Sequence, residues 1–200
     1  MARLPDAGLP DAAAEYRWLL DRGYPDQPAL GIVGDRYRLS ATGRAMLFRG
    51  VFSTTHSERR AARLVDGVGE EITVDGHNVL FTAWNCLAGR PAVAATDGSL
   101  RDIGGTRGRL PHDERFTRVA RLFCEALRAL RPHRVAISLD EQLPWSRQHF
   151  AEIRELWEGL ADSGTLAFEV HAEPSVDRGG SVVRSILRAR PTDMEALIRG

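Results

Sequence analysis

The chain has 200 residues, 43% of them hydrophobic, enough for one ordinary domain or a small domain with a helical extension and too many for a wholly disordered chain. Its 27 basic and 27 acidic residues give a formal net charge of zero, which excludes a global basic field for nucleic acid; such binding would need a local patch. All 27 basic residues are arginine, a choice that suits forked phosphate contacts but equally follows from a GC-rich genome, the reading favoured by the many Ala and Gly residues.

Residues 1 to 10 contain Pro and Gly and read as a frayed lead-in. Residues 11 to 65 read as helical. Asp11 can cap a helix bearing Tyr16, Leu19 and Leu20 that stops at Gly23, and Asp26 a second with Leu30, Ile32 and Val33 as its apolar face. Ser40 can cap a third through Met46, Leu47 and Phe48, and Ser53 or Thr54 a basic fourth through Arg59, Arg60 and Arg63. Asp66 to Glu70 reads as a turn or linker, which places a domain boundary between a helical part, 1–66, and a second part, 71–200.

From residue 71 the period changes. Ile72-Thr73-Val74 is a β-branched strand, and Asn78 to Leu87 a helix. Asp97-Gly98 joins Ala92–Thr96 to Ser99–Ile103 as a hairpin. Residues 113 to 131 form an amphipathic helix with Phe116, Val119, Leu122, Phe123, Leu127 and Leu130 on one stripe, ended by Pro132. Arg134 to Leu139 is a strand, Ser146 caps a helix that closes at Gly164, Thr165–Val170 and Val182–Leu187 are strands, and Pro191-Thr192 open a last short helix. Strands alternating with helices predict an α/β fold with a mainly parallel sheet flanked by helices. The hairpin is then an insertion or an antiparallel edge. Cys86 and Cys124 lie in apolar helical patterns without zinc spacing and read as buried free thiols. No apolar run approaches the ~18 residues of a membrane span, so the expectation is a soluble cytoplasmic protein.

In parallel sheets ligands bind beyond the carboxyl ends of the strands, and acids recur there. Asp75 ends the first strand, Asp140 follows the strand from Arg134, Asp177 lies in the loop after the strand closing at His171, and Asp193 follows the last strand. Carboxylates gathered at one edge repel one another, and a divalent cation relieves the repulsion. Mg²⁺ or Mn²⁺, which prefer hard oxygen ligands, fit that role, and Asn78 could support a carboxylate, a water or a phosphate oxygen without adding charge. Each acid also has a plainer reading: Asp75-Gly76 as strand-end turn and helix cap, Asp140 as a turn residue before Pro144, Asp177 as part of a solvated loop. For Asp193 the plainer reading, a cap on the last helix, is the stronger one. Asp97 reads as a hairpin turn residue, and His77 as a packed or surface side chain rather than a ligand. His112, His133, His149 and His171 show no partner spacing. No GxGxxG follows a strand, and Walker-type and GxSxG motifs are absent.

The stretch Asp75-Gly76-His77-Asn78-Val79-Leu80 resembles the Asp-Gly-x-Asn motif that opens PIN-like and NYN-type nuclease domains, and Pro174-Ser175-Val176-Asp177 resembles their Val-Asp element. The whole chain resembles a two-part uncharacterised family through Tyr16 to Pro25, Val33 to Tyr37 and Arg49 to Phe52 in its first part, and the Asp75 motif and Asp97 to Ile103 in its second. The resemblance implies a PIN/NYN-like, Rossmannoid second domain in which Asp75, Asp140 and Asp177 bind a metal with Asn78 and Asp193 in support. The last motif departs from the usual Thr-Ser-Asp turn, reading Pro191-Thr192-Asp193. Two functions follow. One is a metal-dependent hydrolase of RNA phosphodiesters, with Arg36, Arg44, Arg49, Arg59 and Arg60 tracking the backbone; those arginines fit a solvated helix face nearly as well. The other is a non-catalytic RNA- or protein-binding module with a degenerate acidic site. Either is compatible with a homo-oligomer. An aspartyl-nucleophile phosphatase is disfavoured because position 77, where a second Asp would stand, is His.

Overall fold

The computed structural model describes residues 5–62, 71–104, 110–132, 134–160 and 192–199. The chain forms two compact units: residues 1–65 with 90–104 and 189–200, and residues 66–89 with 105–188.

The first unit is built on four helices, α1 Leu9–Asp21, α2 Asp26–Arg36, α3 Ala41–Gly50 and α4 Thr54–Ala61. Local chemistry sets most of their ends. Ser40 Oγ accepts the Gly43 N–H and Ser53 Oγ the His56 N–H, as N-caps should. α1 starts earlier than Asp11, with Pro10 in its first turn, where a missing N–H costs nothing. Gly23, at φ +81, takes the left-handed turn after α1. On α2 the apolar face differs from expectation: Ala29, Val33 and Gly34 are buried, while Ile32 is 53% exposed. Tyr16, Leu19, Val33, Met46 and Leu47 form the core of this unit.

That core also takes up Val93 and Met194, and this explains where the hairpin lies. The strands β2 Ala92–Ala94 and β3 Leu100–Asp102 pair antiparallel, and a short β5, Thr192–Asp193, joins β2 in parallel. Among the described residues the hairpin is thus not an edge of the sheet that carries Asp75; residues 90–104 are inserted in sequence between the two segments of the second unit and belong to the first. It packs on the helices, with Thr96 N–H donating to the Gly50 carbonyl at 2.8 Å and Phe52 N–H to Thr96 Oγ1 at 3.1 Å. The final helix, α8 Met194–Arg199, completes the unit through the Arg17–Glu195 ion pair.

The second unit contains β1 Glu71–Asp75, α5 Gly76–Leu87, α6 Glu114–Ala129, β4 Arg134–Ser138 and α7 Ser146–Gly159. β1 and β4 pair in parallel, with Asp75 opposite Ser138, as the alternation of strands and helices predicts. Val74, Val135 and Ile137 are fully buried. α6 turns Phe116, Val119, Phe123 and Leu127 inward, and α7 contributes Ile153 and Trp157. Asp113 caps α6, its Oδ1 accepting the N–H groups of Arg115 and Phe116. Cys124 is buried, with its Sγ against the Ile153 carbonyl, and burial pushes its thiol up to about 12, while Cys86 is only half-buried; the two form no disulfide. The expected strands at 165–170 and 182–187 lie outside the described residues. Among the described residues no helix is long and apolar enough to cross a membrane.

Candidate functional site

The first strand of the second unit ends directly in a helix, and Asp75 serves both. It closes β1 and is the N-cap of α5: Oδ1 accepts the Asn78 backbone N–H at 3.2 Å, and Oδ2 accepts the Asn78 side-chain amide at 2.5 Å. The cap and the Asp–Asn contact follow from the three-residue spacing, which puts Asn78 at the third helical position. Because β4 runs parallel in register, its exit, Leu139 and Asp140, leaves from the same edge as Asp75.

Gly76 makes this junction close. A Cβ there would stand 2.7 Å from Ile137 Cγ2 and Leu139 Cδ2 and 3.1 Å from the Ser138 carbonyl oxygen. Glycine is required for the approach of the helix start to β4. Gly76→Ala is expected to cost about 2 kcal/mol by overpacking, read as a lower urea midpoint at unchanged m-value.

The β4 exit is held from three sides. Asp140 N–H donates to His77 Nδ1 at 2.8 Å, Asp140 Oδ1 accepts the Gln142 N–H at 2.9 Å, and Ser146 Oγ, at the start of α7, donates to the Asp140 carbonyl. Ser146 is therefore the first residue of α7 and ties down the loop, rather than being its N-cap. The cap position is Trp145, in the left-handed region at φ 70. The Asp140 side chain itself is exposed and Asp75 half-buried, so both carboxylates can meet solvent or a ligand.

Behind this edge lies a histidine cluster. His77 accepts at Nδ1, which fixes its proton on Nε2, and that buried Nε2 has no hydrogen-bond partner among the described residues. The fully buried His149 ring stacks on Phe116 at 4.0 Å and stands 5.9 Å from both His77 and His112. His112 Nε2 lies 3.0 Å from Glu152 Oε2. Burial pushes His77 and His149 down to about 4, so both are neutral at pH 7. His77 is thus the packed side chain the sequence suggests. The cluster itself is invisible in the sequence, since its three rings come from α5, the loop before α6, and α7.

The remaining expected site residues fall as follows. Asp177 lies outside the described residues. Asp193 belongs to the first unit, where its Oδ1 accepts the N–H groups of Glu195 and Ala196 and caps α8. Among the described residues no group of three or more His, Cys, Asp or Glu side chains is arranged to hold a metal ion. Four of the five arginines placed on an RNA backbone have acidic partners inside the first unit. Arg36 pairs with Glu15 at 2.9 Å and Arg44 with Asp35 at 2.8 Å. Arg60 pairs at 2.8 Å with Asp97, and Arg49 at 3.6 Å with Asp102, and both carboxylates are 1% exposed. Arg49 and Arg60 therefore clamp the hairpin to α3 and α4. Asp97 is a turn residue as expected, its Oδ1 accepting the Ser99 N–H, and is also an internal ion-pair partner. Arg59 is exposed.

Comparison with known proteins adds the family but no activity. Residues 8–63 match the model described as "Protein of unknown function (DUF434)", and residues 66–185 match "Domain of unknown function (DUF5616)". The first match ends at residue 63 and the second begins at residue 66, while the compact units run across that point in sequence. No solved structure matches the chain. "Uncharacterized protein MJ0935" of Methanocaldococcus jannaschii is 29% identical over 162 residues, covering 78% of this chain and 76% of its own length. With more than half its length matched by one model, the chain belongs to the DUF5616 family, preceded by a DUF434 segment.

Proposed function

We propose that this protein is a divalent-metal-dependent phosphodiester hydrolase acting on RNA, with its site at the Asp75–Asp140 edge of the second unit. The observation behind this reading is the exit of Asp75 and Asp140 from the same edge of two directly paired parallel strands, with Asn78 bonded to Asp75. Mg²⁺ and Mn²⁺ usually bind through one or two carboxylates and keep several waters, so this pair fits such an ion without a full protein cage. Asp75 and Asp140 would hold it, and the bound ion would supply an activated water and a counter-charge for the phosphate. RNA is the substrate class implied by the resemblance of the Asp75–Asn78 motif to PIN-like and NYN-type nucleases. The residues' own contribution is positional. Asn78 orients the Asp75 carboxylate, and the His77 and Ser146 contacts fix the backbone that carries Asp140.

A non-catalytic RNA- or protein-binding module is the competing reading, favoured by the lack of a third acidic or imidazole ligand among the described residues. One experiment separates them. Purified protein with Mn²⁺ and a panel of single-stranded and structured RNAs is expected to cleave, and to stop on chelation. Retention of RNA without cleavage in any metal would overturn hydrolysis and leave the binding module.

A further inference from the structure

We propose that His77 is a positioning residue for the acidic edge, acting through its Nδ1 on the backbone of Asp140; this rests on the metal-site reading above. Packing alone is a poor explanation for this imidazole. His77 is 4% exposed on a helix whose neighbouring buried positions are Val79, Leu80 and Phe81. Its Nε2 is buried without a hydrogen-bond partner among the described residues, an arrangement that costs stability and that a Leu or Phe would avoid. What an apolar side chain could not do is accept the Asp140 N–H at 2.8 Å.

That bond joins the two halves of the edge. Asp75 lies two residues before His77 and is tied to the same helical turn by the Asn78 contacts. Asp140 lies two residues past Ser138, the last residue of β4 and the register partner of Asp75. Beyond Ser138 the β1–β4 ladder no longer holds the chain, and the His77–Asp140 bond takes over. Ser146 Oγ on the Asp140 carbonyl holds the other side of the same peptide segment. The backbone bearing one carboxylate is thereby fixed relative to the helix turn bearing the other. Outer contacts that orient ligands in this way typically carry 10- to 100-fold in metal affinity.

The test compares three variants of the full chain with Mn²⁺ as probe, followed by electron paramagnetic resonance titration. His77→Asn keeps an acceptor at the Nδ1 position; His77→Gln moves its amide to the Nε2 position; His77→Leu has no acceptor. The expected result is Mn²⁺ affinity within about threefold of wild type for His77→Asn, and about tenfold weaker binding for His77→Gln and His77→Leu. In parallel, the Asp140 amide should stay slow to exchange with solvent in wild type and His77→Asn, and become fast in the other two. Should His77→Leu fail to fold, the Asn and Gln variants still decide the matter. Equal affinity in those two, or unchanged affinity in a folded Leu variant, overturns the proposal. Failure of the metal site itself reads differently: Asp75→Asn then leaves Mn²⁺ affinity unchanged, whatever the Asp140 amide does.

Discussion

Asp75→Asn is expected to lower Mn²⁺-dependent RNA cleavage on the order of 100-fold or more while leaving the fold intact. The separation is possible because Asp75 has two jobs that respond differently to the change. As N-cap of α5 it needs only an oxygen for the Asn78 N–H, and Asn caps a helix about as well as Asp. The Asn78 side-chain amide, which now donates to Asp75 Oδ2, can turn to present its own oxygen to the new amide. The charge is the one thing lost, and charge is what a hard cation requires of its ligand. Asp75→Ala supplies the control, since it removes the cap as well and should cost about 1 kcal/mol of stability. Asp140→Asn should behave like Asp75→Asn, because its Oδ1 can still receive the Gln142 N–H. Urea denaturation and single-turnover cleavage on the same preparations check both halves. Full cleavage by folded Asp75→Asn would remove Asp75 from the site.

Features set within a few residues are legible in the sequence alone. The caps at Ser40 and Ser53, the Gly98 turn and the inward stripe of α6 all depend on spacings within one element. The edge position of Asp75 and Asp140 is legible for a related reason, since β-branched runs followed by Asp mark strand ends and parallel pairing sends both ends the same way. What the sequence hides depends on distant partners. A three-residue strand such as β2 carries too little pattern to name its sheet; its place is decided by Val93 entering the helical core. Arg49 reads as a phosphate ligand because Asp102, 53 residues away, is not a neighbour in sequence. Gly76 reads as a turn glycine, whereas its lack of a Cβ is needed against Ile137 and Leu139.

Lowering the pH from 7 to 4.5 is expected to destabilise the second unit through its buried histidines. His149 is fully buried, and burial, reinforced by the neighbouring His77, lowers it from 6.5 to about 4; the Pro111 backbone acts against this, His112 lowers it further, and Glu152 raises it. Once unfolded, the same imidazole takes a proton near 6.5. Below that value the unfolded chain binds a proton that the folded chain refuses, so the stability contribution is complete above pH 6.5 and is lost as pH falls toward 4. A gap of that size corresponds to roughly 3 kcal/mol for one fully buried group, an upper figure. In the first unit the Glu195 carboxylate, bonded to Arg17, is held below its usual range, so its contribution is fully present only well above 4.5 and is lost as pH falls through and below that value. The window from 6.5 to 4.5 is therefore where most of the His149 contribution is lost. Urea midpoints should fall across it in wild type and fall less in His149→Phe, which keeps a ring against Phe116 without the titrating group. The His149 Cε1 proton, followed by NMR, should titrate near 4. A midpoint near 6.5 in the folded protein would mean that water reaches the ring.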